Sequence, residues 1–152
     1  MPAHAESRRL RNGRYSEIGQ IYLVTSVVRK REPVFNDLLM GRLLVRELRR
    51  CEEQKLAKTL AWVVMPDHFH WLFELQDKSL SGVVQQLKAR SSIAVGKLKP
   101  EQTPLWQPGY HDKAIRKEQD LIGVARYVVA NPIRAGLVTK LGDYSLWDAI
   151  WI

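Results

Sequence analysis

The sequence predicts an α+β domain of ferredoxin-like, split βαβ type. It has a central antiparallel sheet, helices mainly on one face, and a C-terminal helix that carries a tyrosine. Three observations point there. Three short runs are rich in β-branched and aromatic residues, the composition of strands. Three longer stretches carry apolar residues at helical spacing. The order is strand, helix, strand, strand, helix, strand, helix, and its first six elements are those of the split βαβ unit. In that topology one sheet face is covered by helices and the other is free to carry a site.

Ile21–Val28 is the first strand, ended by the charge run Arg29, Lys30 and Arg31. Asn36 is placed to cap a helix running to about Gln54. Its apolar stripe is Met40, Leu44, Leu48 and Cys51, and its arginines Arg42, Arg46, Arg49 and Arg50 read as a solvated face. Cys51 therefore reads as core, not as a nucleophile. Thr59–Met65 is the second strand and His68–Leu75 the third. Pro66, which lacks an amide hydrogen, disfavours one unbroken central strand there, and a tight hairpin at Met65-Pro66-Asp67 is one option. Both runs show little polar alternation, as strands covered on both faces or central in a sheet do.

Ser79 can cap a second helix with Leu80, Val84, Leu87 and Ala94 inward, and Gly96–Pro104 reads as loop. A fourth strand is expected over His111–Arg116. The third helix should run from about Lys117 to Ala130, with Leu121, Val124, Ala125 and Val128 buried. Pro132 disfavours helical geometry at the residue before it, so that helix should end near Asn131. One further turn can follow, stopped at Gly136. The segment from Tyr144 to the end is short, contains Trp147 and Trp151, and should pack back on the domain.

A chain of 152 residues suits one domain, here taken as 1–152 with a basic N-terminal arm over 1–19. Apolar residues make up 45%, so a folded protein is expected. The formal net charge is +8, which suggests a polyanionic partner with nucleic acid first, or else an ordinary basic surface. Arg11 and Arg14 in the arm either lie on DNA or belong to a solvated tail. The single cysteine excludes a disulfide framework and a cysteine zinc cluster. No apolar run reaches membrane-spanning length, and a cytoplasmic location without a membrane partner is the simplest expectation.

His68 and His70 stand two apart, so on a strand they share a face while Phe69 points the other way with Trp71 and Phe73. Two imidazoles on one rigid strand can hold a divalent metal ion; the plain alternative is the polar face of a half-exposed strand. Tyr127 and Asn131 are four apart, one turn on one helix face, and Gly123 leaves room beside the tyrosine ring. A protonated phenol is a poor nucleophile, but a metal ion on a phosphate makes that phosphate easier to attack. Read alone, Tyr127 is as well explained as an interfacial residue and Asn131 as a helix end.

Four stretches carry a resemblance: Gly13–Thr25, Met65–Trp71, Trp106–Arg116 and Arg126–Val138. In that order they resemble the single-tyrosine transposases of the HUH endonuclease superfamily, and within it the REP-associated tyrosine transposases. The resemblance runs from about Arg11 to Trp147. It implies cleavage and rejoining of single-stranded or hairpin DNA through a covalent 5′-phosphotyrosine, without ATP. Tyr127 would be the nucleophile. His68, His70 and Asn131 would be the metal ligands, with Mg²⁺ or Mn²⁺ favoured by an amide ligand and a phosphate oxygen. Phe69 occupies the middle position of the HUH triplet, so only the two histidines are informative.

The resemblance also puts the second helix, with Lys88 and Arg90, and the Trp106–Arg116 segment near DNA. Trp106 and Tyr110 beside Lys113 and Arg116 mix stacking rings with phosphate-neutralising cations, although Trp106 is equally at home in the core. His111 would contact DNA or a neighbouring side chain, and Arg134 could hold a phosphate. Two other readings are open: a non-catalytic DNA-binding module of the same fold, and a phosphodiesterase using activated water. A monomer is expected, with a dimer as the alternative.

Overall fold

The computed structural model describes residues 16–116 and 118–150. Residues 1–15 of the expected arm, with Arg11 and Arg14, and Trp151 lie outside the described residues, while Gly19 N donates to Leu75 O at 2.7 Å and so ties the arm's end to the sheet. The elements are β1 (Ile21–Val27), α1 (Leu38–Glu53), β2 (Ala57–Met65), β3 (His68–Leu75), α2 (Leu80–Leu98), β4 (His111–Ile115), α3 (Glu118–Val129), a single turn α4 (Asn131–Arg134) and β5 (Trp147–Ala149). The sheet is antiparallel in the order β4-β1-β3-β2-β5. Its first four strands are the expected split βαβ core, and β5 adds an edge strand where the sequence showed only a tail folding back.

Period-two alternation separates the faces. Tyr22, Val24, Trp62, Val64, Phe69, Trp71 and Phe73 pack against Met40, Leu44 and Leu48 of α1 and Leu80, Val84 and Leu87 of α2. The Trp71 and Phe73 rings stack with centroids 3.9 Å apart, and Trp71 Nε1 donates to Thr59 Oγ1 at 3.0 Å. Cys51 lies in this core, and burial pushes its thiol up to about 11, so it is unreactive. The opposite face carries Ala61, Val63, Met65 and Leu72, partly covered by Ala125, Val128 and Val129 of α3. The tyrosine helix therefore lies across the face that the two long helices leave open.

Two helix boundaries differ from expectation. The cap of α1 is Asp37, whose side chain accepts from Leu39 N at 3.0 Å, while Asn36 sits in the preceding 3₁₀ turn. Helix α2 continues through Gly96 to Leu98, and Ala94 is only half-buried while Val95 is fully buried. Ser79 is the cap of α2, accepting from Gly82 N at 3.0 Å. Ser79→Ala is expected to lower stability by about 1 kcal/mol, measured as a lower urea midpoint at an unchanged m-value.

The C-terminal return is fastened by Tyr144, whose hydroxyl donates to Val64 O at 2.6 Å, and by Val64 N donating to Leu146 O at 2.9 Å. Gly41 permits this approach, because a Cβ there would lie 2.5 Å from Leu146 Cδ1. Among the described residues no helix is long and apolar enough to cross a membrane.

Candidate active site

The site is built on the β2–β3 hairpin. Met65 pairs with His68, so Pro66 and Asp67 form a two-residue turn where proline needs no ladder partner. The turn is pinned from outside: Val28 N donates to Asp67 O at 2.8 Å, and Phe35 N to Pro66 O at 2.9 Å. His68 and His70 then point to the open face, with ring centroids 4.9 Å apart and planes at 83°.

Each imidazole is held through Nδ1. The Asp67 carboxylate can only accept, so His68 Nδ1–H donates to Asp67 Oδ1 at 2.7 Å. This leaves Nε2 as the His68 ring nitrogen open to a cation. Asp67 Oδ2 takes Arg31 Nη1 at 2.9 Å. Burial alone would raise the Asp67 carboxyl, but the hydrogen bonds from His68 and Arg31 outweigh it and hold it below its ordinary value. Arg31 follows Lys30 in the left-handed region, at φ 52° and 57° respectively. That sparsely populated backbone aims Arg31 back at the hairpin turn.

His70 Nδ1 lies 2.7 Å from Thr25 Oγ1, its direct cross-strand neighbour. Burial, the neighbouring His68 and the Arg134 guanidinium depress His70 from 6.5 to about 4, so it is neutral at pH 7 and available as a ligand. The unfolded chain takes this proton near 6.5 and the folded chain only near 4. Stability of the metal-free protein is therefore expected to fall as pH drops from 6.5 to 4, by up to roughly 3 kcal/mol. Urea unfolding in EDTA at pH 7 and pH 4.5 measures this, and His70→Gln is expected to flatten the difference.

Helix α3 brings Tyr127 to the same face. Its side chain is 64% exposed, and the Arg134 guanidinium lies 3.7 Å over its ring centroid. The charge of Arg134 also bears on His70. The helix ends near Asn131 as expected, but the placement of Tyr127 and Asn131 on one face of that same helix needs correction. Helix α3 ends at Val129, and Asn131 begins the separate turn α4. Pro132 explains the break, since it cannot donate to the Val128 carbonyl four residues back. Asn131 Nδ2 reaches that carbonyl instead, at 3.4 Å, which leaves the Asn131 amide oxygen as the atom for a cation. Gly136 closes α4 with φ +75°.

These residues fit a divalent cation. Two imidazole Nε2 atoms are free of the contacts that orient their rings, and a carboxylate and a hydroxyl back them, the outer partners common at metal sites. Among the described residues no three His, Cys, Asp or Glu side chains converge, so a third protein ligand would be an amide oxygen such as that of Asn131.

The remaining candidates divide. His111 and Lys113 pair with Thr25 and Leu23 and so share the open face; both are exposed, as is Arg116. Trp106 and Tyr110 do not form an open stacking surface, and for Trp106 the core alternative holds. Trp106 is buried against Phe35 and Phe69, with Nε1 donating to Ser91 Oγ at 2.9 Å. Tyr110 is buried with its hydroxyl 3.0 Å from Ser81 Oγ. Lys88 donates to the carbonyls of Gln107, at 2.9 Å, and Gly109, fastening that loop to α2. Arg90 pairs with the buried Glu47 at 2.9 Å, joining α2 to α1. Thr25, Arg31 and the Asp67 carboxylate were not singled out from sequence. Only Asp67 gave a signal, as the residue directly before His68.

The family model described as "Transposase IS200 like" matches residues 18–131. The REP-associated tyrosine transposase of Escherichia coli K12 is 33% identical over 86 residues, 55% of this chain, and the match spans about half the length of that relative (49%). A candidate REP-associated tyrosine transposase of Haemophilus influenzae is 23% identical over 83% of this chain and 77% of its own length. A solved REP-associated tyrosine transposase bound to a REP hairpin superimposes with a TM-score of 0.76 at 24% identity, covering 88% of this chain and 79% of that one.

Proposed function

The chain belongs to the IS200-like transposase family, and from that premise we propose that it cuts and rejoins single-stranded DNA beside a REP-type hairpin, with Tyr127 as the attacking group. The observation that carries this reading is the shared face: two ring-locked imidazoles, and an exposed tyrosine under Arg134, whose charge also bears on His70. The hairpin substrate is inferred from the relatives' names and from the fold shared with the hairpin-bound protein.

Tyr127 loses its phenolic proton to solvent and its oxygen attacks the scissile phosphorus. The phosphorus–O3′ bond breaks, and a free 3′-hydroxyl and a 5′-phosphotyrosine remain. A 3′-hydroxyl of the acceptor strand then attacks the same phosphorus and expels Tyr127. One phosphodiester is exchanged for another, so no ATP is needed. Mg²⁺ or Mn²⁺ held by His68, His70 and Asn131 would draw charge from the phosphoryl oxygens and stabilise the leaving oxygen. Arg134 presents guanidinium N–H donors beside the ring, suited to holding a phosphate oxygen in reach. Asp67 and Thr25 keep the imidazoles oriented. Lys113, Arg116 and His111 extend a basic surface from the tyrosine along β4.

The test is incubation with hairpin oligonucleotides and Mn²⁺, read on a denaturing gel. A protein–DNA adduct that needs the metal supports the reading, whereas cleaved DNA with no covalent stage would indicate activated water. Asp67→Asn is expected to weaken metal binding about 10–100-fold, because it removes the charge that orients His68. Calorimetric titration with Mn²⁺ measures this.

A further inference from the structure

Beside Tyr127 an open groove of about 710 Å³ runs between α3 and β4. Its size falls within the ~300–1,000 Å³ typical of small-ligand sites. Its lining combines the apolar Leu23, Val124 and Tyr127 ring with the cations Lys113 and Arg116. Gly123 lines it one helical turn before Tyr127. Nothing in the fold calls for glycine there: a Cβ would meet no heavy atom within 4 Å, and its φ is not positive. Glycine is also the weakest helix former after proline. The space it leaves is thus open to a ligand and not filled by a neighbouring side chain.

We propose that this groove is a subsite for one unpaired nucleotide next to the scissile phosphate, which deepens the function proposed above and rests on it. The base lies against Leu23, Val124 and the bare backbone at Gly123, and the phosphate faces Lys113 and Arg116. Flat apolar contact with flanking cations is what an unpaired base and its phosphate require. Asp120, also on the groove, repels phosphate from its end and accepts from a base N–H, which sets the direction in which the nucleotide enters.

The test uses Tyr127→Phe as the parent, in EDTA, so that binding is read without cleavage. The probe is a DNA stem-loop with single-stranded extensions, and an abasic site is moved through the extensions while affinity is followed by fluorescence anisotropy. One position is expected to lose at least about fivefold in affinity when its base is removed. Adding Gly123→Leu is expected to cost a similar factor on the intact probe and to make binding indifferent to the abasic site at that position. Gly123→Ala and Gly123→Leu should keep or raise the melting temperature, so misfolding does not account for the loss. An unchanged abasic profile in Gly123→Leu, or no sensitive position in the parent, overturns the subsite. A chain with the expected profile but no covalent adduct when Tyr127 is restored would keep the subsite and refute the catalytic reading.

Discussion

Tyr127→Phe is expected to abolish the covalent protein–DNA adduct while leaving hairpin affinity within about twofold, since only one exposed hydroxyl is lost. The loss of cleavage should be on the order of 10³-fold or more, as for other enzymes deprived of their nucleophile. The ring itself remains, so its contact with Arg134 and its place in the groove wall persist. Binding and cleavage therefore separate cleanly in this variant. A gel shift on native gels together with an empty adduct lane on denaturing gels is the expected pair of results.

The second large effect concerns the histidines. His68→Ala and His70→Ala are each expected to lower Mn²⁺ affinity by more than about 100-fold, because even the outer partners of metal ligands are worth about 10–100-fold. Adduct formation should fall with it and recover only in part at high Mn²⁺. With both residues as proposed ligands of one cation, the double variant should be hardly worse than either single one, a failure of additivity expected of groups that act together. Calorimetric titration and adduct yield across Mn²⁺ concentration measure both points. His70→Ala also leaves Thr25 Oγ1 without its imidazole partner, so its stability should be checked beside His70→Gln.

The sequence made the histidine pair legible through the period-two geometry of a strand, and proline at Pro66 marked the hairpin that presents it. What holds the pair was not legible. Thr25 meets His70 only through the β1–β3 register, which local pattern does not set, and Arg31 reaches Asp67 only through two consecutive left-handed residues. Tyr127 could be chosen only by resemblance, because a helical tyrosine at a surface has no signature of its own. Trp106 and Tyr110 sit in a proline- and glycine-containing loop whose pattern leaves Trp106 equally suited to DNA and to the core and puts Tyr110 at the surface. They are buried because Ser91, Ser81 and Lys88 give that loop internal partners. Strand β5 is three residues long and pairs with β2 across more than eighty residues of chain, so no local alternation announces it. Pro132 announces the end of the tyrosine helix, but i, i+4 spacing alone puts Asn131 on that helix, whereas it opens the separate turn that follows.

The account stands on Tyr127 becoming bonded to DNA phosphorus, and one mass measurement addresses that bond. Trypsin cuts after Arg126 and Arg134 and so releases Tyr127–Arg134 as one peptide. After reaction with a hairpin oligonucleotide and Mn²⁺, then nuclease trimming, that peptide is predicted to carry a nucleotide through its 5′-phosphate, with fragmentation placing it on Tyr127. Cleaved DNA with an unmodified peptide, or the same mass found on another tyrosine such as Tyr110 or Tyr144, would contradict the account.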